Sequence, residues 1–151
     1  MSNKNFVIPM SGQLVTLADV PDETFSQKTL GDGFAIKLDG EVLVSPISGV
    51  VIAAFPTGHA FIIRDENGVE VLIHIGLNSA SKSEAFRIQI KKYQEVKQGD
   101  VLVYIDKSKL GETDADLISP LVFANPDIKI ELLKAGQRVL VGDTDAVNIS
   151  L

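Results

Sequence analysis

The chain has 151 residues, 45% of them apolar and 23% charged, with a formal net charge of −6 and no cysteine. That length carries one domain with a real core and is short for two. The composition excludes disulfides, thiolate nucleophiles and thiolate metal sites, and the acidity argues against nucleic acid, which asks for basic patches over its phosphates.

Residues 6–18 read as two short strands broken at Pro9 and Gly12, and 19–29 as a surface loop or one helical turn. Leu30-Gly31-Asp32-Gly33 is a tight turn without the GxGxxG spacing of a phosphate cradle. Residues 34–38 alternate as a strand, Asp39-Gly40 signals a hairpin, and 41–44 return. Pro46-Ile47-Ser48-Gly49 echoes Pro9-Met10-Ser11-Gly12, and the Gly99-Asp100 segment echoes Gly142-Asp143. These look like reuse of one strand–turn–strand unit. Residues 79–95 offer helix caps, yet the alternation over 86–90 favours a strand. A buried strand is expected over 101–105, helical turns or loop over 107–117, a strand over 118–124 broken at Pro120, and short strands near 130–134, 138–141 and 146–151. Many short strands with frequent turn signals predict an all-β, antiparallel sandwich or barrel-like fold with short helical turns. No linker divides residues 1–151, so a single domain is expected.

No apolar run nears the ~20 residues that span a bilayer, and the start MSNKNFVIPMSG lacks a signal peptide's apolar core. A cytoplasmic protein, not membrane-inserted, is expected. Met1 and the polar start favour a free-standing chain.

The most informative stretch runs from Phe55 to Asn78 and holds both histidines, His59 and His74. Between them, Asp65-Glu66-Asn67-Gly68 separates two β-rich runs, a strong hairpin signal. A four-residue loop, 65–68, sets His59 opposite His74 with Cβ atoms roughly 4.5–5.5 Å apart. It also keeps Asp65 away from Glu70 and is preferred. A two-residue loop, 67–68, makes the rings diagonal neighbours on one face. A three-residue loop sends them to opposite faces. With an even loop the shared face also carries Phe61, Ile63 and Leu72, two polar rings in an apolar setting.

Two imidazoles support few chemistries. Zinc usually wants three or four protein ligands, so an intrinsic site would need a carboxylate such as Asp32 or Asp65, and no HExxH spacing exists. No GxSxG elbow supports a hydrolase. Phosphoryl carriage on nitrogen fits better. A neutral imidazole is a competent nucleophile, and loose phosphoryl transfer asks mainly for positioning and charge stabilisation. A second imidazole could hold the phosphate oxygens, and an apolar rim would exclude water. Thr57, two residues before His59, is a candidate to orient that ring.

Asp19-Val20-Pro21-Asp22, LGDGFAIK at 30–37, SPISGVV at 45–51, FPTGHAF at 55–61, His74-Ile75-Gly76, VKQGDVLVYID at 96–106 and ISPLVFAN at 118–125 closely resemble the glucose-type enzyme IIA of the bacterial phosphoenolpyruvate-dependent sugar phosphotransferase system. The resemblance implies an antiparallel β-sandwich and a phosphotransferase component that needs no cofactor. It implies that His74 accepts the phosphoryl group on Nε2, that His59 supports the phosphate, and that the Thr57 hydroxyl orients His59. Leu30, Phe55, Phe61 and Leu72 fall where the family has its apolar rim. The implied partners are the phosphocarrier HPr as donor and a IIB domain of a sugar permease as acceptor. They are met in transient complexes of a monomer, with regulated transporters or glycerol kinase as further partners in some bacteria. A zinc shared between His59, His74 and a partner's carboxylate is a further implication. Gly76-Leu77-Asn78-Ser79-Ala80 departs from the family's Gly-x-Asp-Thr-Val: Asn78 replaces a carboxylate expected to meet basic partner residues. That departure motivates an alternative, a regulatory binding module switched by phosphorylation. A weaker likeness, Gly99 to Lys107, is to a lipoyl-carrier strand with its modified lysine.

Overall fold

A computed structural model describes residues 5–150. Its main sheet has eight antiparallel strands in the spatial order Arg138–Val139, Gly12–Thr16, Asp32–Leu38, Ile118–Phe123, Glu70–His74, Ala60–Arg64, Gly49–Ala54 and Glu95–Val96. A three-stranded sheet (Val42–Val44, Val101–Ile105, Phe86–Ile88) and a two-stranded one (Lys129–Leu132, Val147–Ser150) complete the β structure. The expected all-β antiparallel class is borne out. The helical elements are single turns at Glu23–Ser26, Lys107–Leu110 and Asp114–Leu117 and 3₁₀ turns such as Leu17–Asp19 and Ser83–Ala85, and no helix among the described residues is long and apolar enough to cross a membrane.

The sequence echoes are structural repeats. Ser11 and Ser48 each take a backbone N–H with Oγ, from Val141 and Gln98 respectively, both at 2.9 Å. Ile8 exchanges backbone bonds with Gly142 and Asp143, as Ser45 does with Gly99 and Asp100. Asp143 and Asp100 close the two matching turns with their carboxylates, on Leu140 and Lys97 N–H. The halves interlock: Val44 N–H donates to Pro9 O, and Val7 N–H to Pro46 O.

Three local expectations are corrected. Asp39-Gly40 makes no hairpin between its flanking strands. Asp32–Leu38 pairs instead with Gly12–Thr16 and Ile118–Phe123, while Val42–Val44 joins the other sheet. Arg138 grips the Asp39 carboxylate with two N–H groups, so the turn is built as an anchor. Residues 6–9 form no strand although their backbone is bonded. Pro120 does not break its strand. The ladder to Glu70–His74 runs only from Leu121 to Phe123, so a residue without an N–H sits where that pairing ends. The readings at residues 1–4 and at Leu151 lie outside the described residues.

Two apolar clusters result. The larger fills the interior and includes Phe34, Phe61, Ile63, Val71, Ile73 and Phe123. The smaller covers the other side of the main sheet: Leu17, Val20, Phe25, Ala35, Ile118 and Val122 are buried there, with Leu72 and Leu77 packed against them. Its keystone is the turn Glu23–Ser26. Asp22 caps it by accepting from Thr24 N–H at 2.9 Å, and the turn delivers Phe25, 7% exposed, onto the sheet. Fully burying a phenylalanine side chain contributes roughly 1.5–3 kcal/mol of transfer free energy before ordering costs.

Candidate functional site

The hairpin between the two histidines has an odd loop. Ala60, not His59, is registered opposite His74, and Arg64 opposite Glu70. Asp65 decides this. Its Oδ1 accepts from Asn67 and Val69 N–H, and its own N–H donates to Val69 O, an Asx-type turn spanning Glu66 to Gly68. The register also sets Arg64 across from Glu70 as a 3.2 Å ion pair.

The rings meet all the same. Their centroids lie 5.0 Å apart with planes 77° to one another. His59 escapes the alternation because it is not in the strand. It ends a tight turn closed by Gly58 N–H on Phe55 O and Phe55 N–H on Ala60 O. Gly58 has φ +89°, and an added Cβ would stand 2.8 Å from the Phe86 Cβ, so the bend needs glycine. Period two therefore does not govern His59. Its carbonyl still accepts from Ile75 N–H at 2.7 Å, binding the turn to the neighbouring chain.

The face is correspondingly different from the expectation. Phe61 and Ile63 point into the core, both 0% exposed. Leu72 shares the side of His74 and joins the smaller cluster. Phe55 is 5.4 Å from the His59 ring and 43% exposed, while Leu30 is 41% exposed. Phe25 stands 5.9 Å from the His74 ring. Of the side chains expected around the rings, Phe55 stands against His59 and Phe61 is buried in the interior, while Phe25, which was not expected, stands against His74. Phe25 was missed by sequence reading; the signal was one aromatic residue within a polar, Asp22-capped turn. Four rings run edge to face in the order Phe55, His59, His74, Phe25.

His74 closes its strand half-buried. Its Nδ1 lies 2.5 Å from the carbonyl oxygen of Gly76. A carbonyl only accepts, so Nδ1 carries the proton and Nε2 keeps its lone pair. Gly76 returns the chain toward the ring with φ +66°, and a Cβ there would meet the Asp116 carbonyl oxygen at 2.4 Å. His59 is 7% exposed, and its buried Nδ1 has no hydrogen-bond partner. The Thr57 hydroxyl donates to Ala80 O at 2.9 Å, so in this structure it braces the turn rather than holding the ring. Burial pushes the His59 imidazole below its ordinary 6.5, with the neighbouring His74 adding to the effect. Burial also pushes His74 down, partly offset by the Gly76 carbonyl and by Asp22. Both rings are neutral near pH 7.

The carboxylates considered for a metal lie elsewhere. Asp32 accepts from Ile130 N–H, Gly33 N–H and Lys28, and Asp65 is committed to its turn. No group of three or more His, Cys, Asp or Glu among the described residues could hold a metal ion. Lys107 donates to Asp39 O and starts a helical turn, not the tip of a hairpin. Asn78 is exposed beside the site, its amide 3.5 Å from Asp116 Oδ1.

A sandwich that presents two neutral, edge-to-face imidazoles among apolar side chains is built for nitrogen chemistry on a charged group. Residues 4–128 match the family described as phosphoenolpyruvate-dependent sugar phosphotransferase system, EIIA 1. The chain is 40% identical over 149 residues to the PTS system glucose-specific EIIA component of Mycoplasma capricolum, covering 96% of each chain. It is 37% identical over 125 residues to the PTS system glucosamine-specific EIICBA component of Bacillus subtilis, matching 82% of this chain and 20% of that longer one. The solved structure of glucose permease IIA from Mycoplasma capricolum superposes with a TM-score of 0.84 at 39% identity, over 95% of this chain and 93% of that one. The chain belongs to the EIIA 1 family of the phosphoenolpyruvate-dependent sugar phosphotransferase system. It is a phosphocarrier component of that system.

Proposed function

We infer that His74 Nε2 is the phosphoryl acceptor, taking the group from phospho-HPr and passing it to a cysteine on the IIB domain of a sugar permease. The observation that carries this is the Nδ1 contact with Gly76 O, which leaves Nε2 as the nucleophile. In acceptance, a P–N bond forms at Nε2 as the donor's P–N bond breaks. The product ring, still protonated at Nδ1, is formally cationic, and the Gly76 carbonyl dipole stabilises that charge. In delivery the cysteine thiolate attacks phosphorus, the P–N bond breaks as the P–S bond forms, and the bonding pair returns to Nε2 to give the neutral imidazole.

His59 acts as the supporting group. With its Nδ1 buried, Nε2 is the nitrogen left to meet the phosphoryl oxygens. The apolar rim slows hydrolysis of the carried group by limiting water. No cofactor or metal is used; residues 1–151 work as one cytoplasmic EIIA domain, a monomer in transient complexes. Glucose is the leading sugar class, supported by the glucose-specific relative of similar length.

Incubation with phosphoenolpyruvate, enzyme I and HPr tests this. The protein should gain one acid-labile, base-stable phosphate, and His74→Gln should gain none. Labelling of His74→Gln at the parent rate would remove the assignment.

A further inference from the structure

We propose that Ser119 is a positioning residue that sets which nitrogen of His74 is free to react. It rests on the reading of His74 as acceptor but is tested separately from it.

The Gly76 carbonyl can fix the ring only if its own peptide is held. Glycine at φ +66° brings no side chain to hold it and is the least constrained residue in backbone angle. Two groups from the segment Asp114–Phe123 supply the restraint. Leu77 N–H donates to Ala115 O at 2.8 Å. That N–H belongs to the same planar peptide unit as the Gly76 carbonyl and points the opposite way. Fixing it aims the carbonyl back at His74. On the other side, Gly76 N–H donates to Ser119 Oγ at 3.0 Å.

Ser119 is 1% exposed, so its hydroxyl must be satisfied within the protein. Oγ donates its one proton to Leu117 O at 3.0 Å. Its lone pairs therefore face Gly76 N–H, and the hydroxyl cannot reverse roles without orphaning a buried group. Ser119 is the side chain that receives Gly76 N–H itself; the buried Ser79 hydroxyl bonds Ile75 O at the far end of that same peptide unit, and the Ala115 partner is backbone, which substitution does not remove. Ser119 touches neither imidazole in any hydrogen bond of the structure. It acts through Gly76.

The consequence is a tautomer. Free neutral histidine prefers the proton on Nε2, which would block that nitrogen. The clamp reverses the preference at His74.

The test is nitrogen NMR on unphosphorylated protein with labelled histidine, at a pH where both rings are neutral. The chain has two histidines, so assignment needs only His59→Gln as reference. The parent should show His74 protonated at Nδ1 and bare at Nε2. Ser119→Ala should show a mixture of tautomers and accept phosphate about fivefold more slowly, the equivalent of one lost hydrogen bond. Ser119→Thr, which keeps the hydroxyl, should restore both. A pure Nδ1–H tautomer in folded Ser119→Ala would overturn the proposal. If Ser119→Ala does not fold, Ser119→Cys decides. Its weaker acceptor should give a partial shift, and an unshifted tautomer overturns the proposal. Because no partner or phosphate is present, this result stands apart from whether His74→Gln labels.

Discussion

The ring of His74 and the carbonyl of Gly76, two residues later, meet at 2.5 Å between Nδ1 and oxygen. One backbone acceptor thereby decides the chemistry of a side chain, and it requires a residue that tolerates positive φ. Gly76→Ala should cost about 2 kcal/mol of stability through left-handed strain and the close approach to Asp116 O. It should also slow phosphoryl acceptance. Chemical denaturation measures the first effect and rapid-quench labelling the second; unchanged values in both would contradict the role given to this turn.

Both imidazoles are held below 6.5, chiefly by burial. In the unfolded chain each regains its ordinary value, so between 6.5 and the lower native values the unfolded state binds more protons. Their contribution to stability is complete above pH 6.5 and is lost as the pH falls through that window. Asp32 behaves otherwise. Burial would raise its carboxyl, but hydrogen bonds from Ile130, Lys28 and Gly33 hold it below 3.8, so its contribution fades only at more acid pH. Proton NMR titration of the two rings checks the first statement. Either ring titrating at or above 6.5 in the folded protein would refute it.

Phe25 seals one side of His74 and anchors the smaller cluster. Phe25→Ala should cost about 3 kcal/mol. With burial relieved, the His74 imidazole should titrate closer to 6.5. A truncation that lowers stability but leaves the titration unmoved would mean that Phe25 is only a packing residue.

His59→Gln should still accept phosphate, because the nucleophile is untouched, and should pass it to a IIB domain more slowly. Single-turnover transfer from purified phosphoprotein measures this. Equal onward rates would take the supporting role from His59.

Much of this was legible in the residues. Asn67-Gly68 announced the hairpin, and the echoed Pro-x-Ser-Gly and Gly-Asp segments proved to be matching turns. The His59–His74 pairing was foreseen for a wrong reason. An even loop was expected, whereas Asp65 caps an odd one, and side-chain capping of a turn is hard to separate from plain loop polarity in a single sequence. What joins the rings is the bend at Gly58, which lies outside the strand pattern altogether. The rim was half visible. Phe55 stands beside the His59 ring and Leu72 shares the strand face of His74, but Phe61 turned inward because the register differs by one residue, and one residue moves a strand's side chains to the other face. Phe25 and Ser119 come from distant segments, and no local pattern announces such contacts.

The central claim is that one nitrogen of one residue carries the phosphate. Phosphorylated protein, prepared with phosphoenolpyruvate, enzyme I and HPr and examined by phosphorus and nitrogen NMR, tests it most directly. The account predicts a single phosphorus resonance coupled to Nε2 of His74, with Nδ1 of that ring protonated. A phosphorus coupled to Nδ1, or to the ring of His59, would contradict it.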